Sequence, residues 1–191
     1  MEYSIKQGMR HFILKQEDTA LLIIDIQENL WNVMYNKDEI EKNARILVEL
    51  ATKVEIPIIP TAQYKKGIGP AIKSLNERLI DVEEIEKLSF NCFDVEVFRD
   101  RLFSVDRKTL LIAGIESHIC VLQTALAAIE HGFRVHIVAD ATGSRTEKNH
   151  KIGIERMRDA GCVITSAETA AFEIIKEAGT PLFKEMLKII K

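Results

Sequence analysis

The sequence predicts an α/β fold: a three-layer α/β/α, doubly wound and mostly parallel sheet of six strands, Rossmann-like in architecture. Two observations carry this prediction. Short apolar runs alternate along the chain with longer amphipathic stretches, the β-α-β rhythm of a parallel sheet. The runs are also apolar at nearly every position rather than at every second one, as strands covered on both faces require.

Five runs read as strands: ALLIID from Ala20, IPIIPT from Ile56, TLLIAGI from Thr109, FRVHIVAD from Phe133 and CVITS from Cys162. A weaker sixth is expected over residues 82–85. Between them, DEIEKNARILVELATKV, SHICVLQTALAAIEHG and TEKNHKIGIERMRDAG have helical spacing. Acidic or hydroxyl residues stand near their starts, and glycine follows the second and third. SAETAAFEIIKEAG and TPLFKEMLKIIK read as two closing helices. Residues 65–79, with Gly67, Gly69 and Pro70, read as an excursion over the site. No repeat, low-complexity segment or boundary interrupts the chain, so residues 1–191 are expected to form one domain.

Composition narrows the function. The 191 residues are 47% hydrophobic, enough for a substantial core, and carry a net charge of -3 with lysines and arginines scattered among acids. That pattern argues against a nucleic-acid or anionic-membrane surface. The opening MEYSIKQGMRHF has no apolar leader run, and no stretch reaches the length of a membrane span. A cytoplasmic protein with a small-molecule substrate is the expectation. The three cysteines, at 92, 120 and 162, form no C-x-x-C pair and are expected to be free thiols.

Ligands of open parallel sheets bind beyond the carboxyl ends of the strands, which singles out the residues leaving each run. Asp25 follows the first. Cys120 follows the third, just inside a helix for which Ser117 is a suitable N-cap; unpaired N–H groups and the helix dipole there would favour a thiolate. Lys87, in EIEKLSFNCF, is a third candidate, while nearby Cys92 lacks the strand-to-helix setting and reads as packing. Each also has a plain alternative: a buried thiol, a turn cap, a solvated lysine. Several site types lack their signatures: there is no G-x-G-x-x-G, no phosphate-loop motif, no H-E-x-x-H and no G-x-S-x-G. His118 lies two residues from Cys120, on another side of a helix, and reads as a first-turn polar residue.

Three separated segments, ALLIIDIQENLW, EKLSFNCF and AGIESHICVLQTAL, together with TAQYKKGIGP and HIVADATGSRTEKNHKIGIERMRDAG, resemble the isochorismatase-like cysteine hydrolases, most of all the small isochorismatase-domain proteins. The resemblance runs from about Thr19 to Phe183. It implies a triad of Cys120 as nucleophile, Asp25 as general base and then acid, and Lys87 as electrostatic support. It also implies a non-proline cis bond between Ile115 and Glu116, with the N–H groups of Glu116 and Cys120 as oxyanion hole, and a homo-oligomer. Gln27, Trp31, Gln63, Tyr64 and Phe90 are expected to line the pocket. Nicotinamidase-like relatives place an aspartate and two histidines after the second strand for a metal. This chain reads IIPTAQYKKGIGP there, so no catalytic metal or other cofactor is expected. Ser117 and Asn91 replace the threonine and serine common in relatives. The resulting expectation is a metal-independent cysteine hydrolase cleaving a small amide or ureido C–N bond through a thioester. The alternatives are a vinyl-ether hydrolase, which needs the aspartate but no thiol, and a binding or assembly protein without turnover.

Overall fold

The computed structural model describes residues 12–191; the opening MEYSIKQGMRH, expected above to lack an apolar leader run, lies outside them. Six strands form one sheet: β1 (Thr19–Ile24), β2 (Ile58–Gln63), β3 (Ile85–Lys87), β4 (Thr109–Ile115), β5 (Arg134–Gly143) and β6 (Val163–Thr165). Their order is β3-β2-β1-β4-β5-β6 and every pairing is parallel, so the expected mostly parallel sheet is parallel throughout. The weak sixth strand begins at Ile85, where its expected segment ends, and carries Lys87 itself.

Winding reverses between β1 and β4, which lie side by side with Ile24 opposite Gly114. The crevice of a doubly wound sheet opens at such a reversal, beyond the carboxyl ends of the strands. Asp25 leaves β1 and Glu116 leaves β4 at that point.

The helices are α1 (Glu28–Trp31), α2 (Lys37–Lys53), α3 (Lys65–Ile68), α4 (Lys73–Asn76), α5 (Glu96–Ser104), α6 (Leu122–Glu130), α7 (Glu147–Asp159), α8 (Ala167–Ile175) and α9 (Pro181–Ile190). The long ones follow the sequence pattern, and hydroxyl caps set three starts: Thr146, Ser166 and Thr180 accept from the backbone N–H three residues on, satisfying donors that a helix start leaves unpaired. α5 is an addition to the elements expected. Its buried apolar residues, Phe98 and Leu102, are too few to stand out as a period.

Two apolar layers flank the sheet because successive strand residues point to opposite faces. Leu21, Ile23, Leu111, Ala113 and Ile115 join α2, α8 and Met186 of α9 in one layer. Ala20, Leu22, Ile24, Leu110 and Ile112 join residues of α5, α6 and α7 in the other. Residues 65–79 form a strap of two single helical turns, α3 and α4. An isolated antiparallel bridge between Gln27 and Ala71 ties the strap to the end of β1.

Gly114 fixes how closely β1 and β4 approach beside the crevice. Its φ is 151°, and a Cβ there would lie 2.9 Å from Ile24 Cα and nearer still to Ile24 O. Backbone cannot yield as a flexible side chain can, so Gly114→Ala should destabilise the protein by about 3 kcal/mol, the upper part of the range for overpacking. Urea unfolding followed by far-UV circular dichroism measures it.

Candidate functional site

Asp25 sits at φ 55° in the left-handed region, an uncommon conformation for a residue with a Cβ. The fold holds it there from both sides: Asp25 N–H donates to Thr61 O at 3.1 Å, and Gln27 N–H donates to Asp25 O at 2.8 Å. Fully buried, its carboxylate receives two donors, Thr61 Oγ1 on Oδ1 at 2.8 Å and Lys87 Nζ on Oδ2 at 2.6 Å. A buried carboxylate would otherwise carry a large desolvation cost.

Lys87 brings the compensating charge from the last position of β3. Its ammonium also donates to Gln63 Oε1 at 2.7 Å, Ser89 O at 3.3 Å and Phe90 O at 3.5 Å. Burial alone would lower the lysine; the charge of Asp25 and the hydrogen bond to it reverse this, so that the ammonium is held above its ordinary value.

Cys120 is 4% exposed and completes the group. Burial raises its thiol far above the usual cysteine value, the charge of Asp25 raises it further, and a hydrogen bond to Asp25 acts in the same direction, against the lowering pull of Lys87. The expected thiolate stabilisation by a helix start is thus overturned. Cys120 lies in a π-helical turn, Ser117–Val121, ahead of α6, and enclosure by Val121, Leu122 and Ala125 outweighs the N–H groups there. Burial and the neighbouring Asp25 carboxylate thus both favour the protonated thiol.

Two further expectations are corrected. No peptide bond among the described residues is cis, so Ile115–Glu116 is trans. Glu116, at φ -58° and ψ 109°, carries the chain from β4 directly into the π-helical turn. Ser117 makes no cap hydrogen bond within the turn; its hydroxyl instead contacts Ser144 Oγ at 2.7 Å and His150 Nδ1 at 3.0 Å.

The residues expected to line a pocket divide. Gln27 is fully buried and spends both ends of its amide on backbone, donating to Gln63 O at 3.0 Å and Gly69 O at 2.6 Å and accepting from Gln63 N–H at 2.7 Å. Gln63 donates to Leu88 O at 2.7 Å while accepting from Lys87. These two shape the site from behind. Trp31 donates to Lys37 O at 2.8 Å and packs beside the α2 layer with the Lys37 ammonium 4.8 Å from its ring centre, anchoring the start of α2. Tyr64 and Phe90 are half exposed, on the segments leaving β2 and β3.

Other groups at the site lack a sequence signature. Thr61 is the residue opposite Ile24 on β2, and pairing register alone brings it to Asp25. Cys92 packs as expected, yet it belongs to the electrostatic group. Burial and the Asp25 charge push its thiol up to about 11, offset in part by Lys87 and by hydrogen bonds with Thr124 and Thr61. Glu116, almost fully buried, is paired with Arg145 Nε at 2.7 Å and lies 3.4 Å from His118 Nδ1.

The model of the isochorismatase domain family matches residues 19–169, which span the whole site from Asp25 to Cys120. The chain belongs to the isochorismatase family. A secreted isochorismatase effector, Isc1, of Phytophthora sojae is 33% identical over 177 residues, covering 91% of this chain and 84% of the relative. Among solved isochorismatase-like structures, YcaC from Pseudomonas aeruginosa, described with hexane-2,5-diol and covalent acrylamide, superposes with a TM-score of 0.87 at 27% identity. That match covers 93% of this chain and 91% of the other. YcaC of Escherichia coli, described as an octameric hydrolase of unknown specificity, superposes with a TM-score of 0.83 at 30% identity, covering 86% and 83%. The fold is that of isochorismatase-family hydrolases.

Lys87→Met removes one partner of a buried ion pair and leaves Asp25 uncompensated. Denaturation should show a loss of about 3–5 kcal/mol. In the native protein the pair's sign is set by a lysine raised above 10.5. Its contribution is complete below the unfolded value and disappears as pH climbs through the folded one. Stability measured from pH 8 to pH 12 should therefore fall on the alkaline side, and the Lys87→Met protein should lack that component.

Proposed function

We propose that this chain is a metal-independent cysteine hydrolase that cleaves a small amide or ureido C–N bond through a thioester on Cys120. The observation that carries the reading is the buried Lys87–Asp25 pair, with the ammonium 2.6 Å from the carboxylate, beside a buried Cys120 thiol that feels the charge of both, at the point where the sheet reverses its winding. Asp25 takes the thiol proton as the sulfur attacks the carbonyl carbon, and the carbonyl electron pair moves onto oxygen. When that pair returns, the C–N bond breaks and Asp25 gives its proton to the departing nitrogen. Water then attacks the thioester, again losing a proton to Asp25. The S–C bond breaks and the sulfur is reprotonated.

Lys87 stays charged throughout. Proton transfer from sulfur to Asp25 moves the negative charge within its reach rather than creating a new one, which offsets the high cost of forming a buried thiolate. The N–H groups of Glu116 and Cys120 are the proposed oxyanion donors, a contribution on the order of 3 kcal/mol each where well aimed. With Ile115–Glu116 trans, the curvature of the π-helical turn has to aim them. Where β2 ends, Thr61 and Gln63 are committed to Asp25 and Lys87, which supports chemistry run by side chains alone.

A covalent acrylamide adduct on one structural neighbour and the octameric assembly of another support an electrophile-accepting site and a homo-oligomer for this chain. No described helix is long and apolar enough to cross a membrane; a cytoplasmic enzyme is the reading we adopt.

The test is ammonia or amine release from a panel of small amides and ureido compounds. Cys120→Ala should abolish release and the acyl adduct seen by intact mass, and Asp25→Asn should lower kcat by about 10²- to 10⁴-fold. Full turnover by Cys120→Ala, or activity confined to a vinyl ether such as isochorismate, overturns the thioester mechanism.

A further inference from the structure

Four buried or half-buried side chains around the start of the Cys120 turn form a continuous chain: His118 Nδ1 to Ser144 Oγ at 2.9 Å, Ser144 Oγ to Ser117 Oγ at 2.7 Å, and Ser117 Oγ to His150 Nδ1 at 3.0 Å. Both serines are fully buried, so these contacts have no water to exchange with. Counting protons fixes the arrangement. Three hydrogen bonds need three protons, and each hydroxyl supplies one. The third has to come from an imidazole, and only one of the two Nδ1 atoms can carry it without two donors meeting.

The surroundings of the two rings differ. His118 Nδ1 also faces the nearly buried Glu116 carboxylate at 3.4 Å, which rewards a proton on that nitrogen. His150 has no such neighbour on Nδ1. Its ring stands 5.7 Å from that of Tyr35, and burial holds it below the usual imidazole value despite the charges of Glu39 and Glu147. A neutral His150 with its proton on Nε2 accepts at Nδ1.

We propose that His118 and His150 are positioning residues for Cys120, His118 donating and His150 accepting at the two ends of a one-way chain that fixes the Ser117–Val121 turn. The packing gives the chain its leverage. One turn beyond His150 on α7, Gly153 lies under the same residue: a Cβ there would stand 2.7 Å from Ser117 O and 3.1 Å from His118 Cα. α7 therefore holds Ser117 by its hydroxyl through His150 and by its backbone at Gly153. From the other side Tyr35 N–H donates to Ser144 O at 3.1 Å, pinning the middle of the chain. The turn itself closes on Glu116 O, which accepts from Ile119 and Val121 N–H. Orientation of Ser117 thus passes directly to the backbone that bears the sulfur.

This inference rests on the proposed function only in taking Cys120 as the reacting group, and its first readout does not involve turnover. In the full chain labelled with ¹⁵N at histidine, long-range ¹H–¹⁵N spectra at pH 7.5 should show His118 carrying a proton on Nδ1 and His150 as the neutral Nε2–H form. A neutral Nε2–H His118, or a proton on His150 Nδ1, overturns it. The second readout is the rate at which acrylamide adds to Cys120, followed by intact mass. Ser117→Thr keeps the hydroxyl and should react within about twofold of the parent, while Ser117→Ala loses two hydrogen bonds of the chain and should be about five- to tenfold slower, part of their worth being felt at the sulfur. Equal rates for all three proteins overturn the positioning role. If the spectra and rates agree with the chain while no amide is turned over, only the proposed reaction falls.

Discussion

Everything at the crevice is arranged around one buried ion pair, Lys87 with Asp25. Two charges withdrawn from water are expensive, and a 2.6 Å contact offsets the cost only if the remaining lone pairs and protons are also satisfied. That requirement recruits Thr61 to the carboxylate, and Gln63, Ser89 and Phe90 to the ammonium. It also explains Gln27, which has no charge to satisfy but locks Gln63 in place through two hydrogen bonds to its backbone, with a third to Gly69 O. The result draws on β1, β2 and β3 at once. A change in any of these strands is felt at the pair.

The same pair bears on Cys120, though burial acts on it more strongly. A thiol at a helix start is usually expected to ionise readily, and here enclosure wins. In the proposed mechanism the sulfur therefore stays protonated until it attacks, with Asp25 as the base. Reactivity follows the thiolate, so addition of an electrophile at Cys120 depends on passing the thiol proton to its neighbour.

The strands were legible in the sequence because burial on both faces writes itself as unbroken apolar runs, and TLLIAGI and ALLIID could hardly be anything else. The end of each run then pointed to Asp25 and Cys120 by topology alone. Lys87 became legible only through a family likeness, since a lysine in EIEKLSF carries no local sign of being buried. What the sequence withheld was pairing register and turn geometry. Thr61 reaches Asp25 because β2 pairs with β1 in one register; Gln27 and Gln63 look like polar rim residues until their amides are traced inward. Ser117 satisfies every local rule for a cap, yet its hydroxyl goes to residues 27 and 33 positions away. Local propensity lost to a tertiary contact, as it does when a π-helical turn replaces the first turn of a helix.

The strap over the crevice has a property that bears on how such a protein changes over time. Three of its ties to the body of the fold are made through main-chain atoms on the strap side: Gly69 O accepts from Gln27, Pro70 O accepts from Glu28 N–H, and Ile72 N–H donates to Ile26 O; the side chains of Ile72, Leu75 and Leu79 in the core and the Arg78–Glu49 ion pair add to them. A carbonyl or an amide offers the same bond whatever side chain stands beside it. Lys66, Ile68 and Ala71 can therefore be exchanged without breaking these three bonds, whereas Lys65 also pairs with Glu84. In the proposed enzyme, side chains at such positions can vary while the buried Asp25–Lys87 pair keeps its partners.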